Sequence, residues 1–316
     1  MSTFSKNQIN FYTVTEKDDN QRLDNLLTKI LKNVPKNYIF KIIRSGEVRI
    51  NKKRAEFNTK VCLNDLLRIP PIEILASTSN QQTKYIPQAN FNILFEDEYY
   101  LIIDKPSGIA CHGGSGVSFG VIEQLRSTYP DAKFLELAHR IDRDTSGILV
   151  LAKKRQALVK FQDIIRNSQL RKIYLALVVG ELKDQLRNVK APLHKYVSND
   201  GQRRVRVDNQ LGQYSHSIFS VISKFKDYTL VQANIKTGRT HQIRVHLQHI
   251  GFPIAMDDKY GNFDINKQLA KLGLKRMFLH AHEIDFIHPI TIKPLKILSP
   301  IPKELQIFID ICVKMP

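Results

Sequence analysis

The sequence predicts an α+β fold, a mixed and largely antiparallel sheet flanked by helices and loops, joined to a small α/β module. Three observations carry this. Apolar residues recur at helical spacing in residues 21–45 and in two later stretches, 160–166 with its flanks and 240–250. From Phe91 onward short β-rich runs follow one another without the regular strand–helix alternation of a doubly wound sheet. Between these regions the polar segment ASTSNQQTKYIPQAN (76–90) has no periodicity and reads as a linker. The expected division is a tail over 1–18, a compact module over 19–72, a linker over 73–90 and a main domain over 91–316.

In the module, Leu23, Leu26, Leu27, Ile30 and Leu31 share one helical face, and Ile39, Phe40, Ile42 and Ile43 repeat the pattern. Gly46 is placed to end that second helix in a left-handed cap. Val48–Asn51 and Leu66–Ile69 read as short strands, and Pro70-Pro71 closes the module. In the main domain, Leu101–Ile103, Ile148–Leu151, Tyr174–Val179, Thr229–Ile235 and Met277–His280 read as strands.

The 316 residues are 42% hydrophobic, ordinary for a packed protein. No apolar run is long enough to span a bilayer, and MSTFSKNQIN lacks the apolar core of a signal peptide, so a soluble cytoplasmic protein is expected. Cys62, Cys111 and Cys312 lie far apart in no CxxC pair, against a disulfide scaffold or zinc ribbon. The net charge is +18, and residues 21–70 hold +8 of it, from twelve Lys/Arg and four Asp/Glu. Nucleic acid is the first partner such a field suggests, and a membrane surface the second.

The glycine-rich loop His112–Gly120 fails the GxGxxG spacing, and no GxxxxGK[ST] occurs. His246 and His249, and His280 and His282, lack the companions of a metal centre, so no metal is expected. His280 and His282 fall on one side of a strand and suit a hydrogen-bonded core or an RNA-facing role better than metal ligation. Charged residues crowd into His139–Ser146, just before the apolar run Ile148–Leu151. Catalytic groups favour a loop fixed by a buried strand. Asp142 and Asp144 in it suit acid–base or glycosidic chemistry, or a surface ion-pair cluster. Arg239 and Arg244, in GRTHQIRVHL, suit phosphate binding, or the pairing of one with a buried aspartate.

HRIDRDTSG (139–147), RKIYLALVVG (171–180) and GRTHQIRVHL (238–247) together resemble the three signature segments of the RluA family of pseudouridine synthases, in the family's order and spacing. LIIDKPSGIACHGGSG (101–116) and FLHAHEIDFIHP (278–289) extend the likeness over 91–300. The resemblance implies isomerisation of uridine to pseudouridine in RNA without a cofactor. It implies Asp142 as the catalytic carboxylate, either nucleophile or base, with Arg244 as its cationic partner. Tyr174 maps to the tyrosine packed on the target base, and Arg140 to the arginine that fills the space of the extruded nucleotide. His139, Thr145, Arg239 and His241 lie in the same segments and are expected to contact substrate.

HGGSGVSFGVIEQL (112–125) and the stretch around FDINKQLAKLGLKRMFLHA are most similar to members acting on large-subunit (23S) ribosomal RNA, which is the expected partner of a monomeric enzyme. Residues 21–70, with RLDNLL and GEVRIN, resemble an S4-type RNA-binding domain, and Arg22, Lys36, Arg44, Arg49, Lys52 and Lys53 are its expected RNA contacts. The module departs from the S4 pattern at Pro35-Lys36, at Lys52 in place of a glycine, and at Asn64-Asp65 in place of Gly-Asp.

Overall fold

The computed structural model describes residues 8–16, 18–31, 34–72, 90–113, 119–198 and 201–314. The segments 73–89 of the expected linker, 1–7 of the expected tail and 114–118 of the glycine-rich loop lie outside the described residues. The chain divides into two compact units, Met1–Lys84 and Tyr85–Pro316.

The first unit contains β1 (Asn10–Thr13), α1 (Leu23–Ile30), α2 (Lys36–Arg44), β2 (Arg49–Ile50), β3 (Lys53–Arg54) and β4 (Leu66–Ile69). Leu23, Leu26, Leu27, Ile39, Ile42 and Ile43 are buried together with the apolar side of the sheet, as the helical spacing requires. Helix α2 ends in a Schellman motif. Gly46 takes φ +77° and donates its N–H to Ile43 O at 3.0 Å, while Glu47 N–H reaches Ile42 O at 3.0 Å. The sheet order is β1-β4-β2-β3, antiparallel throughout.

Strand β1 lies within the segment expected as a tail. Its pairing with β4, more than fifty residues away, orders it, and a four-residue run carries no local sign of such a partner. Asn51 and Lys52 both have positive φ (49° and 67°), the requirement of a type I′ hairpin, so Lys52 occupies a conformation that favours glycine. Asn51 holds this turn: its Nδ2 donates to Asp65 Oδ1 at 2.7 Å, and its Oδ1 accepts Leu66 N–H at 2.9 Å. Asn64 likewise stands at φ +69°, where a short polar side chain replaces glycine at small cost.

In the second unit the chain forms β5 (Asn92–Glu96), β6 (Tyr100–Lys105), α3 (Val121–Thr128), β7 (Glu136–Leu137), β8 (Ser146–Ala152), α4 (Arg155–Arg166) and β9 (Arg171–Val179). It continues through β10 (Leu186–Lys190), β11 (Leu193–Val197), β12 (Arg203–Val207), β13 (His216–Lys224), β14 (Tyr228–Ile235) and α5 (Gln242–His249). It closes with α6 (Phe263–Lys271), β15 (Leu279–Ile287), β16 (Pro294–Leu298) and α7 (Lys303–Lys314). The main sheet runs β10-β13-β14-β9-β15-β8-β6-β5, with β16 beside β15 and β7 beside β8. Only the β15–β8 pair is parallel among the described strands, so the sheet is mixed and largely antiparallel. No described helix is long and apolar enough to cross a membrane.

Strand β8 is buried along its whole length because both faces of the sheet are covered. Leu149 and Leu151 join the core that holds Tyr174 and Ile141, whereas Ile148 and Val150 pack toward Phe161 of α4. Gly147 opens this strand at φ +105°, where a Cβ would stand 2.2 Å from Ala281 O of the parallel neighbour. Only glycine meets both conditions.

Fully buried Lys105 ends β6, with Nζ donating to the carbonyls of Pro106, Ile109 and Arg143 at 2.8, 2.8 and 2.9 Å. Burial pushes this amine down to about 8. Its three bonds tie the turn after β6 to the loop before β8, and Ser107 Oγ adds a bond to Asp144 O at 2.7 Å. The loop carrying Asp142 is therefore pinned to the core from below.

Candidate active site

Asp142 sits in the pinned loop between β7 and β8, Tyr174 on β9, and Arg244 in α5. The three segments read from the sequence meet around one cavity of about 540 Å³. Ile141, Tyr174, Ile235 and Leu279 give it an apolar wall; Arg140, Lys172 and Arg239 add cations. The volume and the mixture suit a single nucleotide.

Arg244 is 3% exposed, and its guanidinium fork grips Asp257: Nε to Oδ2 and Nη2 to Oδ1, both at 2.7 Å. Nη2 also reaches Asp258 Oδ1 at 3.1 Å, and Nη1 faces Asp142 Oδ2 at 3.5 Å. Burial alone would lower the guanidinium's affinity for its proton, but the bonds and field of Asp257 raise it. Burial would raise Asp257, and Arg244 pulls it below its usual value. Arg244 is thus held mainly by Asp257 and offers its remaining edge to Asp142. Asp257 was not found from the sequence. The only signal was a carboxylate pair, Asp257-Asp258, beyond the helix of a suspected buried arginine.

His241 precedes α5 with φ +53°, a left-handed conformation that turns its ring toward Asp142, with Nε2 4.0 Å from Asp142 Oδ2. Its Nδ1 lies 2.7 Å from Tyr260 Oη, which also accepts Val205 N–H of β12 at 2.9 Å. Burial pushes Tyr260 up to about 12, so the phenol keeps its proton beside Nδ1. Burial also lowers His241. Tyr260, too, escaped sequence reading, since it is brought in by the turn that Asp257 builds through bonds from Lys259 N–H and Tyr260 N–H at 2.9 Å each.

Tyr174 is buried; desolvation and then the field of Asp142 raise its phenol, so it is a neutral group on the cavity wall. Thr145 is buried and its N–H closes the loop onto Asp142 O at 3.2 Å. Arg140 is exposed at the cavity, and the neighbouring Arg143 is paired with Asp144 at 3.0 Å. Arg239 is anchored at its backbone, where its N–H reaches Gln242 Oε1 at 3.0 Å, and its Nε donates to Tyr214 O at 3.2 Å.

His139 lines the cavity. Its Nε2 accepts Val150 N–H at 3.1 Å, its ring stacks on Phe161, and burial lowers it to about 4. It is a neutral packing group at the cavity edge with its acceptor already used. His280 and His282 both bond to Ser299 O, at 3.2 and 2.7 Å, as suits a hydrogen-bonded core.

Among the expected RNA contacts of the first unit, Lys36, Arg44, Arg49, Lys52 and Lys53 are exposed, and Arg44 lines a shallow groove with Asn37, Phe40, Lys41 and Ser45. Arg22 is more engaged: it pairs with Asp24 through two bonds, at 2.7 and 3.1 Å, and lies over the Phe57 ring at 5.6 Å.

The site thus sets a carboxylate facing an arginine and a histidine ring beside a neutral tyrosine on an apolar wall. Residues 99–249 match the family described as RNA pseudouridylate synthase, and residues 21–67 match the S4 domain. A relative from Pasteurella multocida is 49% identical over 302 residues, covering 94% of this chain and 92% of its own. The chain belongs to the RNA pseudouridylate synthase family and is an isomerase of RNA uridine.

That relative is named ribosomal large subunit pseudouridine synthase C, as is one from Vibrio vulnificus, 46% identical over 309 residues with 95% and 96% coverage. Among solved structures, human RNA pseudouridylate synthase domain containing 4 aligns with a TM-score of 0.58 at 25% identity, covering 71% of this chain and 94% of its own. Human RNA pseudouridylate synthase domain containing 1 shares the fold, with a TM-score of 0.57 at 20% identity, covering 72% and 96%.

Proposed function

We propose that the enzyme isomerises uridines of large-subunit ribosomal RNA, as a cytoplasmic monomer without a cofactor. The observation that carries this is the convergence of Asp142, Tyr174 and Arg244 on one nucleotide-sized cavity, in a chain 49% identical to a synthase named for that RNA. In this reading RNA binding belongs to an S4-like module that begins at β1 (Asn10–Thr13) and not at residue 19, and ends at residue 72, and catalysis to a domain over 91–316. In the reaction the N1–C1′ bond breaks, the uracil turns, and a C5–C1′ bond forms; C5 loses a proton and N1 gains one.

Asp142 is the carboxylate that starts departure of the base, acting on the flipped nucleotide as nucleophile or base. Arg244 and His241 orient it. Tyr174 packs on the uracil as a neutral phenol. Arg140 fills the place of the extruded nucleotide, which offsets part of the few kcal/mol of unstacking. Thr145 and Arg239 border the nucleotide. Lys36, Arg44, Arg49, Lys52 and Lys53 hold RNA phosphates, and Arg22 supports the surface beside them.

Mapping pseudouridines in ribosomal and transfer RNA from a strain lacking the gene tests the substrate. The expected result is loss of modification at large-subunit positions alone, restored by the wild-type gene. Loss confined to transfer RNA overturns the ribosomal assignment.

The role of Tyr260 is tested by Tyr260→Phe. It removes the hydrogen-bond partner of His241 Nδ1 and leaves Val205 N–H without its acceptor, a cost of about 1–3 kcal/mol in stability. Without that partner the His241 ring is no longer held beside Asp142. We expect kcat to fall about tenfold with KM nearly unchanged, the pattern of a group acting on the chemical step. Equal kcat in steady-state assays would remove Tyr260 from the mechanism.

A further inference from the structure

Two lysines near the cavity, Lys105 fully buried and Lys172 partly so, lose hydration and meet that loss in opposite ways. Lys105 and Lys172 are both lowered to about 8 by desolvation. Lys105 spends its ammonium on three backbone carbonyls. Lys172, on β9, lines the cavity itself, and no hydrogen bond or carboxylate holds its Nζ among the described residues.

The surroundings leave that ammonium open on the cavity side. Gly238 lies alongside, where even a Cβ would come within 3.5 Å of Nζ. His139, the ionisable neighbour, offers no free acceptor, because Nε2 already takes Val150 N–H. The carboxylates of the site are engaged elsewhere: Asp257 with Arg244, Asp144 with Arg143, and Asp142 with Arg244 and His241. A partly desolvated cation on the cavity wall with no carboxylate beside it among the described residues is suited to an anionic ligand.

Lys172 and Tyr174 are two residues apart on one strand, so they project from the same face about 6.8 Å apart. That separation is close to the reach from the base of a nucleotide to its own phosphate. With the uracil against Tyr174, a flanking phosphate falls at Lys172.

We propose that Lys172 is the phosphate-binding residue of the site, taking one of the two phosphodiesters that flank the target uridine. This rests on the reading of the cavity as the place of the flipped nucleotide. Lys172 then grips the target nucleotide itself, whereas the exposed cations of the first unit neutralise RNA elsewhere. A charge-assisted bond of this kind positions ribose for Asp142 and is present before and during the reaction, so it acts chiefly on binding.

The test uses purified full-length enzyme and synthetic RNA fragments spanning the mapped uridine. In one fragment the 5′ phosphodiester is a neutral methylphosphonate, and in another the 3′ one is. Lys172→Gln is expected to raise KM about tenfold or more, with kcat changed less than about threefold. One of the two methylphosphonates should impose the same penalty on wild type and almost none on Lys172→Gln, as two losses of one contact do not add. Lys172→Arg should retain the wild-type sensitivity. The slope of log affinity against log salt should shrink by about 0.7–0.9 in Lys172→Gln, the share of one phosphate contact.

If Lys172→Gln does not fold, Lys172→Met keeps the length and apolar packing and is measured instead. Wild type that leaves the fragment unmodified defeats the cavity reading. Active wild type, with methylphosphonate penalties equal in wild type and variant, defeats the phosphate assignment alone. So does a variant with wild-type KM.

Discussion

Purified Asp142→Ala protein is expected to fold, to bind ribosomal RNA within about threefold of wild type, and to release no tritium from RNA labelled at C5 of uridine. The loss in turnover should reach at least about 10⁴-fold, the scale on which removal of a reacting group is felt. The geometry separates this chemical effect from a structural one. The Asp142 side chain is 25% exposed, and its loss leaves Arg244 paired with Asp257 and Asp258. No buried charge is stranded, so stability should change by no more than about 1 kcal/mol.

RNA affinity comes mainly from cations on phosphates, and removing an acidic group from a basic surface does not weaken it. Asp142→Asn should be equally inactive, because it keeps the shape and loses the charge. Wild-type-like tritium release by Asp142→Ala would take Asp142 out of the chemistry altogether.

The parts of this molecule that were legible in sequence are those whose physics is local. The spacing of Leu23, Leu26 and Leu27 fixes a helix face, and Gly46 after Arg44 supplies a conformation that only the end of a helix needs. The continuous apolar run after Ser146 required a strand covered on both faces, and β8 is one. The residues alone left Arg239 and Arg244 as equal candidates for a phosphate or a buried aspartate, and the resemblance of GRTHQIRVHL singled out Arg244. Its partner was not legible, because a buried ion pair is set by folding and not by spacing, and Asp257 lies beyond the helix in a turn of its own.

The same limit hid β1, which exists through β4. Lys172 was one more basic residue in a basic sequence. What distinguishes it from Lys105 is which acceptors surround each amine, and no periodicity records that. His139 lines the cavity as its segment suggests, and it also carries packing that the sequence does not record. Its place in a signature segment suggested substrate contact, while Val150 N–H and Phe161 engage its acceptor and ring face.

Arg244→Met is expected to damage stability and activity together, unlike Asp142→Ala. The substitution leaves the Asp257 carboxylate, with a fully buried side chain, deprived of its two 2.7 Å bonds. Breaking a buried pair from one side costs about 3–5 kcal/mol. For a unit of this size that lowers Tm by roughly 6–20 °C. The double variant Arg244→Met/Asp257→Asn removes the stranded charge. Its amide oxygen can still accept Lys259 N–H and Tyr260 N–H, the bonds that build the turn behind His241.

Most of the lost stability should therefore return in the double variant. Turnover should not, because Asp142 still lacks the guanidinium edge that faces it at 3.5 Å. Thermal unfolding and tritium release on the four proteins of this cycle measure the two effects separately. A double variant that recovers stability and turnover alike would mean that Arg244 serves only to neutralise Asp257. Recovery of stability alone would mean that one guanidinium does both jobs, holding the turn through Asp257 and presenting its last edge to the reacting carboxylate.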